Sequence, residues 1–273
     1  MKIVVKSVLF FLLCLLSGHA IAQKVDTITI TSPTMNIQLK NIVILPAAYE
    51  ASETKEYPVI YLLHGYGGNF KTWLDIKPDL PKIASEKGVI IVGPEGKNSW
   101  YWDSPKDSSL KFETYIAKEL VSYVDSHYKT RKAPKGRAIS GLSMGGHGGL
   151  WLGFRHPDIF GACGSMSGGV DIRPFPNNWE MNKSLGVYKE NPDIWEKHTV
   201  INQLHLIQPN SLAIIIDCGT EDFFFQVNEN LHRQMLQRNI KHDYITRPGV
   251  HNSEYWNNAI DYQIIFFSKF FGN

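Results

Sequence analysis

The sequence has few cysteines and no excess of charge of either sign. It contains 3 cysteines among 273 residues, too few for the disulfide framework that stabilises many small secreted domains. The chain has 28 Lys and Arg residues and 26 Asp and Glu residues. Two of the lysines, Lys2 and Lys6, lie at the amino terminus, so residues 23–273 are formally neutral. Binding to nucleic acid or to an anionic membrane depends on concentrated Lys and Arg, so we expect neither partner.

Long apolar runs are absent beyond the amino terminus. At the amino terminus, residues 8–16 form a short apolar run after the two lysines, and the small-residue pattern Ala20-Ile21-Ala22 follows this run. The run is too short to cross a bilayer as a helix, and its flanks are typical of a secretory signal peptide cleaved after Ala22. We therefore expect residues 1–22 to be removed. Residues 23–273 should form one domain with no membrane span, secreted or periplasmic.

Cys163 and Cys218 are the cysteines that follow this segment. Their spacing does not match a metal-binding pattern and does not require a disulfide. Isolated cysteines usually pack in a core as small apolar residues. We expect no metal and no cofactor.

Strands and helices alternate along the chain. Continuous apolar runs, typical of parallel strands buried on both faces, cover residues 59–63, 89–92, 138–142, 160–166 and 212–216. Apolar residues with helical spacing lie between and after them, at residues 112–124, 227–235 and 256–271. Residues 27–30 and 35–45 alternate apolar with polar residues, which predicts antiparallel edge strands. The pattern predicts an α/β fold with a mostly parallel sheet and helices on both faces.

The segment Gly141-Leu142-Ser143-Met144-Gly145 lies between a predicted strand and a predicted helix. In that context the pattern predicts a sharp turn that exposes the hydroxyl of Ser143 as a nucleophile. A side chain in place of either glycine would collide with the turn. The backbone N–H of Met144 should then stabilise an oxyanion, together with an N–H from the loop at residues 64–68.

A serine nucleophile needs a base and an acid, and in this type of site they follow the serine in the order acid, histidine. His251 lies in a loop between a predicted strand and the last helix, which makes it the predicted base. The acid should come from the loop after residues 212–216. There, the residues alone leave Glu221 and Asp222 evenly matched.

Five segments together resemble the esterase D and antigen 85 family of α/β hydrolases, which includes small-acyl esterases, feruloyl esterases and formylglutathione hydrolases. They are Leu62-Leu63-His64-Gly65, Gly141-Leu142-Ser143-Met144-Gly145-Gly146, Arg155-His156-Pro157-Asp158-Ile159-Phe160, Cys218-Gly219-Thr220-Glu221-Asp222-Phe223 and Pro248-Gly249-Val250-His251. The resemblance covers nearly the whole chain after the signal segment. It implies that the acid is Asp222 and that the second oxyanion donor is the N–H of Tyr66.

Aromatic residues near the predicted active-site edge suggest the kind of substrate. Residues 168–210 form a connection far longer than usual, and we expect a lid-like insertion there that includes Trp179. Trp100 follows the strand at residues 89–92. These two rings are candidates for binding an aryl acyl group or a sugar, although such residues also pack within insertions.

We therefore expect a serine esterase that acts outside the cytoplasm on feruloyl or acetyl esters of polysaccharide, or on other small acyl esters. Two alternatives stay open, an acyltransferase to a sugar hydroxyl and a noncatalytic carbohydrate-binding relative. A formylglutathione hydrolase is disfavoured, because its thiol substrate belongs to the cytosol and the chain carries a predicted export signal.

Overall fold

The computed structural model describes residues 23–272, in which eight strands form one sheet with helices on both faces. The predicted signal peptide lies outside the described residues. The strands are β1 (Lys24–Ser32), β2 (Ile37–Leu45), β3 (Val59–Leu63), β4 (Ile90–Pro94), β5 (Arg137–Gly141), β6 (Ala162–Met166), β7 (Ala213–Gly219) and β8 (Asp243–Arg247). The α-helices are α1 (Thr72–Ile76), α2 (Leu80–Lys87), α3 (Phe112–Thr114), α4 (Val121–His127), α5 (Met144–Arg155), α6 (Met181–Leu185), α7 (Pro192–Lys197), α8 (Phe225–Gln237) and α9 (Ser253–Phe271).

Shorter helical segments complete the description. A π-helical turn, Tyr115–Leu120, joins α3 to α4, and 3₁₀ turns cover Ala47–Ala51, Pro134–Gly136, Tyr188–Glu190 and Val200–Leu206. None of the helices within residues 23–272 has both the length and the apolar composition needed to span a bilayer.

The strands are arranged in the order β1-β2-β4-β3-β5-β6-β7-β8. β2 pairs antiparallel with both β1 and β4, whereas all pairs from β4 to β8 are parallel. The predicted mostly parallel sheet with antiparallel strands at one edge is therefore confirmed. The direction in which the chain adds strands reverses between β3 and β5, and ligands of such sheets bind at this reversal, beyond the carboxyl ends of the strands.

Successive residues of β3 face two separate hydrophobic cores. Tyr61 and Leu63 belong to the core that also contains buried residues of α5 and α8, whereas Ile60 and Leu62 belong to the core covered by α1, α2 and α9. All five residues of the strand are buried, which explains why its sequence is continuously apolar. Complete burial of each such side chain contributes about 1.5–3 kcal/mol.

Leu63 and Gly141, the last residues of β3 and β5, are register partners. The loop after β3 and the turn after β5 therefore begin side by side at the carboxyl edge of the sheet. The loops that follow β7 and β8 begin at the same edge, with Gly219 paired to Arg247. This arrangement brings four chain segments together around one site.

The predicted insertion at residues 168–210 contains α6, α7 and several turns. Much of it is packed into the core, since Leu185 and Trp195 are each 0% exposed and Ile201 is 2% exposed. Trp179, in contrast, is partly exposed. The insertion is thus anchored by its buried residues and presents a smaller part of its surface to the carboxyl edge.

Candidate active site

Ser143 occupies a tight turn between β5 and α5. Its backbone has φ 55° and ψ −116°, a conformation that costs a non-glycine residue about 1–3 kcal/mol. A Cβ added to Gly145 would lie 2.3 Å from the carbonyl oxygen of Leu63, and one added to Gly141 would lie 2.5 Å from that of Gly145. The two glycines therefore allow the turn, which places Ser143 immediately before the 12-residue helix α5.

His251 connects Ser143 with Asp222 through hydrogen bonds at both of its ring nitrogens. Its Nε2 lies 2.9 Å from Oγ of Ser143, and its Nδ1 lies 2.7 Å from Oδ2 of Asp222. An ionised carboxylate only accepts hydrogen bonds, so the Nδ1–H of His251 donates to Asp222. The Nε2 of the neutral ring then accepts from the hydroxyl of Ser143, the geometry in which an imidazole can remove the hydroxyl proton.

Asp222 and its neighbour Glu221 differ in orientation. The side chain of Asp222 is 0% exposed, and its Oδ1 also accepts a hydrogen bond of 2.8 Å from the N–H of Phe224. Glu221 is exposed. The structure thus brings Asp222, rather than Glu221, against His251.

Two backbone N–H groups near Ser143 have no acceptor within residues 23–272. Among the hydrogen bonds of residues 23–272, neither Tyr66 nor Met144 donates its N–H. Met144 begins α5, so its N–H has no partner within the helix. Gly65, which precedes Tyr66, lies so close to the turn that an added Cβ would be 3.4 Å from the Cβ of Ser143. Both free donors therefore belong to segments adjoining Ser143, as the predicted oxyanion hole requires.

His64 and His147 are buried near Ser143 but have other partners. Nε2 of His64 accepts from the N–H of Gly96 at 2.9 Å, which supports the loop after β3. His147 bonds to Trp102 and Gly169 through its two ring nitrogens. Complete burial lowers the pKa of His147 to about 3, so its ring is neutral at ordinary pH. Neither ring is placed to act as the base.

A cavity of about 380 Å³ opens over Ser143 and His251. Trp179 lines it, as the sequence suggests. Trp100 does not line it, because its ring is 2% exposed and stacks on Trp102, with the ring centroids 5.6 Å apart. The expected direct role of Trp100 in substrate binding is therefore corrected: its ring lies 5.8 Å from that of Trp179 and supports it.

Sequence reasoning missed several residues that line this cavity, among them Phe223, Trp256 and Asp75. Phe223 directly follows Asp222, and its ring lies 4.3 Å from that of His251. Trp256 lies on the first turns of α9, and its ring meets His251 edge to face at 4.9 Å. Their proximity in sequence to the predicted acid and base was the signal that could have identified the two aromatic residues.

A larger cavity of about 900 Å³ lies elsewhere, next to Gly161 and to the first residues of β7 and β8, Ala213 and Asp243. It is therefore at the amino edge of the sheet and contains none of the predicted site residues. The smaller cavity is the one that adjoins the reactive groups.

Cys163 and Cys218 are both free and buried. Burial raises the pKa of each thiol far above its ordinary value, so both remain protonated at neutral pH. Within residues 23–272, no group of three or more His, Cys, Asp or Glu side chains could hold a metal ion.

Comparison with known proteins places this geometry in a family. The profile of the esterase family described as "Putative esterase" matches residues 32–267. An acetyl esterase of Caldicellulosiruptor saccharolyticus is 24% identical over 226 residues, which cover 76% of this chain and 82% of that protein. The endo-1,4-beta-xylanase/feruloyl esterase of Xylanibacter ruminicola is 33% identical over 124 residues, 42% of this chain and 17% of that protein.

Among solved structures, a ferulic acid esterase superimposes with a TM-score of 0.80 at 28% identity, covering 91% of this chain and 98% of that one. The predicted α/β-hydrolase fold is thereby confirmed. The resemblance inferred from the sequence is confirmed as well. The chain belongs to this family of α/β-hydrolase esterases and is a serine esterase.

Proposed function

We propose that the protein is a secreted carboxylic ester hydrolase that works through an acyl-enzyme on Ser143. The observation that carries the proposal is the continuous hydrogen-bonded chain from Ser143 through His251 to the buried Asp222. A hydroxyl is a poor nucleophile near neutral pH, and an adjacent imidazole held in the correct tautomer removes that limitation.

The proposed reaction has two halves. Oγ of Ser143 attacks the ester carbonyl while Nε2 of His251 takes the hydroxyl proton, and the oxyanion that forms accepts hydrogen bonds from the N–H groups of Tyr66 and Met144. The bond to the alcohol then breaks, and His251 protonates the departing oxygen. Water, activated by the same imidazole, attacks the acyl-enzyme and releases the acid. Asp222 holds the ring in place and stabilises its charged form during both halves.

We further propose that the substrates are feruloyl or acetyl esters of polysaccharide, or other small acyl esters. Trp179 and Phe223 stack with an interplanar angle of 22° and centroids 5.9 Å apart beside Ser143, which suits a flat aryl group. The names of the relatives, which include an acetyl esterase and a feruloyl esterase, support the same choice. In this proposal the exposed part of residues 168–210, at Trp179, acts as a partial lid.

Export follows from the sequence of residues 1–22 and is part of the proposal. Expression of the full chain in a bacterial host, followed by amino-terminal sequencing of the exported protein, should give a chain that begins at Gln23. Recovery of only the uncleaved chain in the cytoplasm would contradict it.

Turnover of methyl ferulate and p-nitrophenyl acetate by the wild type and by Ser143→Ala tests the catalytic proposal. We expect the substitution to lower kcat by about 10⁵-fold or more, as when the nucleophile of a comparable triad is removed. Mass spectrometry of the wild type quenched during turnover should detect an acyl group on the peptide that contains Ser143. Equal activity of the two proteins would refute the proposal.

Acyl transfer to a sugar is tested by adding xylose to the reaction. An unchanged ratio of hydrolysis product to transfer product would count against transfer.

A further inference from the structure

The residues that line the cavity over Ser143 fall into two groups of different chemistry. Trp179 and Phe223 provide stacked aromatic rings. Thr72 and Asp75 on α1 and Ser253 at the start of α9 provide polar side chains. Because α1 and α9 pack against each other, these polar residues lie together on one part of the cavity surface.

Asp75 is the one Asp or Glu among the described residues that line this cavity, and no Lys or Arg lines it. Within residues 23–272 its carboxylate has no hydrogen-bond donor and no cation as a partner. Its side chain is exposed to solvent at the cavity. A carboxylate without a cation retains its negative potential and its capacity to accept hydrogen bonds.

The position of Asp75 indicates which part of the ester it meets. A cavity of about 380 Å³ is near the lower end of the range for small-ligand sites, so it cannot enclose a polysaccharide. The alcohol portion of such a substrate must therefore extend past the exposed rim. Among the residues that line the cavity, Asp75 and Ser253 are exposed polar ones, whereas Phe223 is an exposed aromatic one.

We propose that Asp75 selects the alcohol portion of the ester. Its carboxylate accepts hydrogen bonds from the hydroxyl groups of a neutral sugar, and its charge repels alcohols that carry a carboxylate. The preferred alcohols are therefore uncharged and rich in hydroxyls, rather than uronic acids. This inference rests on the esterase function proposed above for Ser143.

The effect of charge is measured with two esters that share the acetyl group and differ only in the alcohol, 4-acetoxybenzoate and the uncharged 4-acetoxybenzamide. We expect the wild type to prefer the amide by about tenfold in kcat/KM, and Asp75→Asn to reduce the preference to about threefold or less. Glu53→Gln removes an exposed carboxylate outside the cavity and should keep the wild-type preference.

The effect of hydroxyl binding is measured with 5-O-feruloyl-arabinofuranose and methyl ferulate, which share the feruloyl group. The ratio of their kcat/KM values should fall at least about fivefold in Asp75→Ala and less in Asp75→Asn, whose amide oxygen still accepts hydrogen bonds. If both ratios stay within twofold of the wild type in both variants, Asp75 does not select the alcohol.

The two proposals fail differently. If Ser143→Ala loses turnover of 4-acetoxybenzamide and the Asp75 variants keep the wild-type ratios of kcat/KM, only the inference about Asp75 is overturned. Turnover that persists in Ser143→Ala overturns the proposed function and, with it, the inference.

Discussion

The indole N–H of Trp102 donates a hydrogen bond of 2.8 Å to Nε2 of His147, one helical turn after Ser143. Because Nε2 accepts this bond, the proton of the neutral ring is on Nδ1, which donates to the carbonyl of Gly169 at 2.9 Å. His147 thus ties α5 to two loops at the carboxyl edge, the one with Trp100 and Trp102 and the one that follows β6.

The burial of the His147 ring makes the free energy of unfolding depend on pH. The folded pKa of His147, about 3, lies below its unfolded value of 6.5, so the unfolded state binds more protons in acid. The contribution of His147 to the free energy of unfolding is fully present above about pH 6.5 and is lost as the pH falls toward 3. Between pH 7 and pH 4 the wild type should therefore lose about 3 kcal/mol of unfolding free energy that His147→Gln does not lose.

Urea unfolding at the two pH values, followed by tryptophan fluorescence, measures this difference. The exposed residue His205 provides the control, since His205→Gln should follow the wild-type pH dependence. Parallel loss of stability in the wild type and His147→Gln would show that burial of this ring is not coupled to pH.

Gly145 and Gly67 should tolerate alanine very differently. A Cβ at Gly145 would press on the carbonyl oxygens of Leu63 and His64, at 2.3 and 2.7 Å, and backbone atoms cannot move aside cheaply. At Gly67 no atom of the described residues lies within 4 Å of an added Cβ, although its φ of 77° costs alanine about 1–2 kcal/mol. We expect Gly145→Ala to lower kcat at least about a hundredfold, because the displaced strand end leads into the loop that carries Tyr66.

Thermal denaturation and p-nitrophenyl acetate kinetics on both variants check this expectation. Gly67→Ala should lower the Tm by several degrees and retain measurable turnover. Similar kinetic losses in the two variants would mean that steric contact at Gly145 is not what maintains the turn.

The sequence predicted the elements whose signals are local. The apolar run at β3, the glycines around Ser143 and the loop position of His251 each depend on a few neighbouring residues, and the structure places them as predicted. Asp222 and Glu221 could not be separated from the residues alone, because the directions of adjacent side chains depend on the exact turn after β7. The family resemblance supplied that choice.

Other features depend on contacts between distant segments. The sequence predicts that Trp100 contacts the substrate, but its ring is buried against Trp102, His147 and Trp179, which come from different parts of the chain. The sequence around Asp75 does not indicate a site, because the place of Asp75 in the cavity depends on the packing of α1 against α9. Such arrangements carry no local pattern in the sequence.

The acid of the site can be tested with adjacent residues. Asp222→Asn would leave the shape nearly unchanged but would favour the wrong tautomer of His251, and we expect kcat to fall by about 10⁴-fold, as in a comparable triad. Glu221→Gln removes the neighbouring exposed carboxylate and should retain kcat within about twofold. Steady-state kinetics with p-nitrophenyl acetate measures both, and a comparable fall in Glu221→Gln would contradict the assignment.

Phe223 should determine how strongly the enzyme prefers aryl over acetyl groups. Its ring is 52% exposed and is stacked on Trp179, so an aryl acyl group entering the cavity could extend this stack. Aromatic pairs contribute about 0.5–1.5 kcal/mol beyond buried area, which corresponds to about 2- to 12-fold in rate. Phe223→Leu should therefore lower the ratio of kcat/KM for p-nitrophenyl ferulate to that for p-nitrophenyl acetate by a factor in this range.

Both esters share one leaving group, so the ratio isolates the acyl side of the cavity. Ile265→Ala, at an exposed apolar position of α9 outside the cavity, should keep the wild-type ratio. Because Phe223 also contacts His251, a change in the alignment of the base would lower both rate constants together and leave the ratio constant. That outcome would assign Phe223 to the support of the base and would move the aryl preference to another part of the cavity.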